Sequence, residues 1–196
     1  MSRCRPDRDP SVVPTETPER PPLTRQRSVV IVNTGHGKGK STAAFGVVMR
    51  GVARGWRVAV LQFVKSGRWK VGEEEIATRL GVDWAKTGDG FTWLTDDLER
   101  SRALAGAAWE QAQATIAAGE HRLVVLDELT YPVNWGWIDA EEVARVLRSR
   151  PEEVNVVVTG RDAPEAIVEV ADTVTEMRNV KHAYDRGVRA KRGLDF

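Results

Sequence analysis

Between Asn33 and Thr42 the chain runs Asn-Thr-Gly-His-Gly-Lys-Gly-Lys-Ser-Thr. Alternating glycines, two lysines and a terminal Gly39-Lys40-Ser41 suit one task above others, holding a chain of phosphates. Gly35, Gly37 and Gly39 let backbone N–H groups converge on an anion, and a following helix would add the positive end of its dipole. Lys40 is placed to enter among phosphate oxygens and Ser41 to offer its hydroxyl to Mg²⁺. The usual phosphate loop, G-x-x-x-x-G-K-[ST], has glycine at the position of Thr34; here a glycine comes one place later. That shift hints that the triphosphate is held in an unusual way. About 85 residues on, Leu123-Val124-Val125-Leu126 leads into Asp127-Glu128. Two carboxylates at the end of an apolar run suit a cation opposite the loop serine, and the sequence leaves open which of them meets it.

The elements around these groups must bring them together. Val29 to Val32 reads as a buried parallel strand ending at the glycine turn. A helix is expected from Gly39 to Arg54, a strand over Arg57 to Phe63, a helix over Glu73 to Leu80 and a short strand over Val82 to Ala85. A long helix follows, Asp96 to Ala118, then strand His121 to Leu126. Asp139 should cap a helix reaching Arg148. Strand Val154 to Val158, a helix from Pro164 to Val170 and a last strand Thr173 to Met177 complete the series. Alternating apolar strands and helices predict an α/β, P-loop NTPase-like (RecA-like) fold, a mostly parallel sheet with helices on both faces. Residues 1 to 27 hold six of the nine prolines and six arginines. They read as a disordered or partner-dependent arm ahead of one domain over 28–196.

Composition narrows the field. Charged residues make up 29% and net charge is +1, which points away from nucleic acid. Cys4 is the single cysteine, so no internal disulfide forms, and His36, His121 and His182 are scattered, against a Cys/His metal site. No apolar run is long enough for a membrane span, and no secretory signal is expected. The expected location is cytoplasmic.

A Mg-nucleotide site alone leaves kinases, ATPases and alkyl transferases open. The run Thr34 to Gly46 closely resembles the loop of the ATP:corrinoid adenosyltransferases. Gln62-Phe63-Val64-Lys65, Gly90-Phe91-Thr92-Trp93, Leu126 to Tyr131, Thr159-Gly160-Arg161 and the tail from Val180 through Gly193-Leu194-Asp195-Phe196 match further family motifs. His36, Ser41 and Tyr184 stand where the family more often has Asn, Thr and Phe.

The resemblance implies transfer of the 5′-deoxyadenosyl group of ATP to Co(I) of a reduced corrinoid (cobalamin, cobinamide or cobyrinic acid a,c-diamide), with triphosphate leaving whole. It implies nucleotide contacts from residues 35 to 42 (Gly35, His36, Gly37, Lys38, Gly39, Lys40, Ser41 and Thr42), with Arg50 and Arg161 on ribose or phosphate. Ser41 and Glu128 would place Mg²⁺ (or Mn²⁺), with Asp127 in support. Phe91 and Trp93 would form an apolar wall that displaces the lower cobalt ligand and eases reduction. A homodimer and a flavoprotein electron donor are implied as well. The competing reading is a P-loop phosphotransferase or ATPase, nucleoside-kinase-like or RecA-like, which would yield ADP. A nucleotide-gated binding module without chemistry is a third.

Overall fold

The computed structural model describes residues 22–66, 72–88 and 98–194. Among these residues six strands form one parallel sheet: β1 (Val30–Thr34), β2 (Val58–Ser66), β3 (Asp83–Gly88), β4 (Leu123–Asp127), β5 (Asn155–Thr159) and β6 (Thr173–Glu176). Their order across the sheet is β3-β2-β4-β5-β1-β6. The helices are α1 (Lys40–Val52), α2 (Gly72–Arg79), α3 (Leu98–Ala118), α4 (Thr130–Asn134), α5 (Ala140–Ser149) and α6 (Glu165–Glu169).

Strand side chains alternate between faces, and two cores follow from that period. Val58 and Val60 of β2, Leu123 and Val125 of β4 and Val157 of β5 pack with Ala44, Phe45 and Val48 of α1. The intervening Ala59, Leu61, Val124, Leu126, Val156 and Val158 pack on the other face with Ala108, Trp109, Ala112 and Ile116 of α3 and Val143 and Leu147 of α5. Burial on both faces is why these strands read as continuous apolar runs.

Several expectations meet their elements within a residue or two. Asp139 caps α5, its carboxylate accepting from the Glu142 N–H at 2.7 Å. Three differences have physical causes. β2 runs on to Ser66 and β3 to Gly88; β3 is the sheet's edge, where polar residues are tolerated. The helix α4 was not anticipated, because Pro132 within it and Gly136 beyond it imitate a loop. Pro132 sits in its first turn, where no intrahelical N–H is needed. At the opposite end of the sheet from the glycine loop, Asp83 of β3 accepts from His121 at 2.7 Å and from Arg57, which also reaches Glu120. The bond from His121, with Arg57 beside it, holds the Asp83 carboxyl below its ordinary range.

Four polar side chains interrupt the core in one line. Gln62 pairs in register with Asp127, and Asn33 with Thr159, in a row across adjacent strands β2, β4, β5 and β1 that lies at or next to the C-terminal ends of all but β2. All four are buried. In an open parallel sheet this end forms the ligand crevice.

Candidate functional site

A cleft of about 400 Å³ opens above that polar row. The glycine loop forms one wall, Glu128 and Tyr131 another, Arg161 a third, and the tail closes it with Asn179, His182, Tyr184 and Asp185. The loop residues His36 to Thr42 all line this cleft. His36 and His182, far apart in sequence, line the same cleft, whereas His121 lies at the other end of the sheet. Among the described residues no group of three or more His, Cys, Asp or Glu is gathered as a metal site.

The loop is braced from behind by the segment after β6. Gly37 donates its N–H to the Met177 carbonyl at 2.6 Å, and Met177 donates to the Thr34 carbonyl at 2.8 Å. A Cβ on Gly35 would lie 2.6 Å from the Met177 oxygen, and one on Gly37 2.6 Å from the Arg178 oxygen. Two of the three glycines are therefore required by close approach of the tail backbone, a reason the loop sequence alone does not reveal. Gly39, at φ 119°, provides the left-handed entry to α1.

Lys40 curls over the loop, its Nζ donating to the Gly35 and Gly37 carbonyls at 2.8 and 2.7 Å. Burial lowers its pKa, nearby Arg161 adds to that, and Glu128, Asp127 and Asp162 oppose it. Burial likewise raises the Tyr131 pKa, partly offset by Arg161. Tyr131 faces the cleft as a neutral phenol.

The acidic pair is divided by geometry. Asp127 is fully buried and accepts at both oxygens, from Gln62 Nε2 at 2.9 Å and from Thr159 Oγ1 at 2.7 Å. The same Thr159 oxygen accepts from the Glu128 N–H at 2.9 Å. Glu128 lies at φ 64°, a left-handed conformation that costs a residue with a Cβ roughly 1–2 kcal/mol. Strain of this kind persists where the surroundings over-determine it, commonly at functional sites. Its effect here is to turn Glu128 into the cleft, which it lines and Asp127 does not.

Arg50 is not brought to the cleft. It is exposed in the last turn of α1, ten residues and about 15 Å along the helix from Lys40. Phe91 and Trp93 lie outside the described residues, as do residues 1–21 of the arm. The Trp135 and Trp137 rings meet at 4.8 Å, tilted by 57°, with Tyr131 5.8 Å from Trp135, and Trp135 stays exposed. Gln62, Thr130, Thr159 and the tail residues were not singled out as site residues by residue type. Gln62 and Thr159 entered only inside motifs matched to the family, and a polar residue within an otherwise apolar strand is their local signal.

The sequence model of the family described as ATP:corrinoid adenosyltransferase BtuR/CobO/CobP matches residues 26–196. The corrinoid adenosyltransferase of Escherichia coli K12 is 43% identical over 171 residues, covering 87% of each chain. Corrinoid adenosyltransferase CobA of Salmonella typhimurium is 43% identical with the same coverage. The corrinoid adenosyltransferase of Pseudomonas aeruginosa is 43% identical over 173 residues, 87% of this chain and 85% of its own.

Proposed function

The chain belongs to the ATP:corrinoid adenosyltransferase family, and from that premise we propose how its cleft residues divide the work. The protein is an enzyme that transfers the adenosyl group of ATP to the cobalt of a corrinoid. In the proposed reaction Co(I) attacks C5′ of ATP, a cobalt–carbon bond forms, the C5′–oxygen bond breaks, and inorganic triphosphate departs with the electron pair. No proton moves, so no general base is needed. The chain supplies alignment and charge.

Lys38, Lys40 and Arg161 face the triphosphate and offset the charge that grows on it. His36, Thr42 and the backbone of Gly35, Gly37 and Gly39 shape its seat, with Gly37 held by the tail. A hydroxyl and a carboxylate are hard oxygen donors that fit Mg²⁺, and both Ser41 and Glu128 line the cleft. Ser41 and Glu128 would hold Mg²⁺ (or Mn²⁺), which when bound would neutralise charge on the leaving group. Asp127 acts behind them as the anchor of Gln62 and Thr159. We assign Phe91 and Trp93 to the wall against the corrinoid's lower face. Arg50 would reach substrate only beyond the described cleft. No helix among the described residues is long and apolar enough to cross a membrane. A cytoplasmic homodimer receiving electrons from a reduced flavoprotein completes the proposal.

The observation that carries this reading is the contrast between the two acids. Glu128→Gln is expected to lower kcat roughly 10²-fold and to raise the Mg²⁺ concentration needed for half-maximal rate, with its melting temperature little changed. Asp127→Asn leaves buried partners mismatched, so its main expected effect is a lower melting temperature, by about 3–8 °C. A Mg²⁺ titration of both variants decides. If Asp127→Asn shifted the Mg²⁺ dependence and Glu128→Gln did not, the roles would be reversed.

A further inference from the structure

The turn from β5 to α6 is fastened at almost every residue around Arg161. The Gly160 N–H donates to the Asn33 carbonyl at 3.2 Å. The Arg161 carbonyl accepts from Thr130 Oγ1 at 2.6 Å and from Asn134 Nδ2 at 3.1 Å. Asp162, at φ 50°, meets His36 Nε2 at 3.0 Å. The Ala163 N–H donates to Thr34 Oγ1 at 3.0 Å. Gly160, at φ 143°, must be glycine, because a Cβ there would lie 2.0 Å from Thr130 Oγ1. The Arg161 side chain alone is left to reach into the cleft. A long flexible cation acts best when its backbone is fixed, since less freedom is lost on meeting an anion.

Thr34 occupies the position where the usual phosphate loop has glycine. A glycine there would have no hydroxyl to give Ala163. We infer that Thr34 is a positioning residue, whose hydroxyl clasps the β5–α6 turn to the phosphate loop and thereby sets Arg161 against the triphosphate. The departure from the usual loop pattern is thus the means by which a neighbouring strand's arginine is indexed to the loop. Strand β5 lies between β1 and β4, so its exit turn is the element that can touch both the loop and the acidic pair. The His36–Asp162 contact is a weaker second fastening, since both side chains are more than half exposed. Exposed pairs of this kind contribute little.

This inference rests on the assignment of Arg161 to the triphosphate, and the test separates the two. Thr34→Val, Thr34→Ser, Arg161→Ala and the Thr34→Val/Arg161→Ala double variant are assayed for kcat and KM for ATP with chemically reduced cobalamin. Thr34→Val should lower kcat/KM about 5- to 10-fold, the effect of one lost hydrogen bond. Thr34→Ser, which keeps the hydroxyl, should stay within about 2-fold of the parent, a rescue that loss of packing alone would not give. In the Arg161→Ala background the valine should cost less than about 2-fold, because the residue it positions is gone. A full Thr34→Val penalty in that background, or a serine variant as poor as valine, overturns the clasp. An Arg161→Ala variant with unchanged kcat/KM removes the assigned role of Arg161 and the clasp's purpose with it, a pattern distinct from the other two. Should the valine variant fail to fold, Thr34→Ala takes its place in the same cycle.

Discussion

Lys40→Ala is expected to lower the rate of adenosyl transfer roughly 10²- to 10³-fold, the usual cost of removing one preorganised charge from a developing anion. The melting temperature should move little, because among the described residues Lys40 Nζ bonds the Gly35 and Gly37 carbonyls of its own loop and no other group. Those carbonyls can turn to water when the lysine is lost. Lys40→Arg should not rescue the activity, since a planar fork cannot replace a compact ammonium inside so tight a loop. Steady-state kinetics with a thermal melt on each variant check both statements. A rate within about 3-fold of the parent would remove Lys40 from the triphosphate site.

The second large effect lies in the brace behind the loop. Gly37→Ala would put a Cβ 2.6 Å from the Arg178 carbonyl oxygen and 2.7 Å from the Met177 carbonyl oxygen, both backbone atoms. Neither can step aside as a flexible side chain would. Relief requires lifting the tail off the loop and breaking the Gly37–Met177 hydrogen bond. The expected result is a melting temperature lower by about 4–10 °C, from overpacking of a few kcal/mol. ATP affinity should fall by roughly 100-fold or more, since the loop proposed to seat the triphosphate is displaced. Gly46→Ala on α1 is the control: among the described residues nothing lies within 4 Å of a Cβ there. An alanine there gains helix propensity, about 1 kcal/mol, and should leave turnover unchanged. A calorimetric ATP titration beside thermal melts distinguishes the two glycines.

These cases show where the sequence was legible. The phosphate loop could be read because its demand is local: glycines, a lysine and a serine contiguous between a strand and a helix. The strands were equally open to reading, because a parallel sheet covered on both faces leaves no polar alternation to confuse. Asp139 announced the start of α5 because a cap is a one-turn interaction. What escaped was long-range. Nothing local in Val154 to Thr159 says that β5 inserts between β1 and β4, yet that placement brings Thr159 to Asp127 and Arg161 to the cleft. The same holds for Met177, whose backbone explains Gly35 and Gly37 from about 140 residues away.

Residue type also proved an incomplete guide to role. Asp127 and Glu128 are chemically near-equivalent neighbours, and only the buried bonds to Gln62 and Thr159 and the left-handed turn at Glu128 tell them apart. Arg50, drawn to the nucleotide by motif resemblance, sits at the far end of α1. Thr34, a departure from the usual loop pattern, has a partner in Ala163.

The central claim is that C5′ of ATP, and not its γ-phosphoryl group, is transferred. It is tested most directly by one anaerobic incubation of the protein with Mg-ATP and chemically reduced cobalamin. The corrinoid spectrum and the phosphate products are followed together. The account predicts the spectrum of an adenosyl–cobalt corrinoid, with inorganic triphosphate released mole for mole. ADP or orthophosphate appearing with no change in the corrinoid spectrum would contradict it.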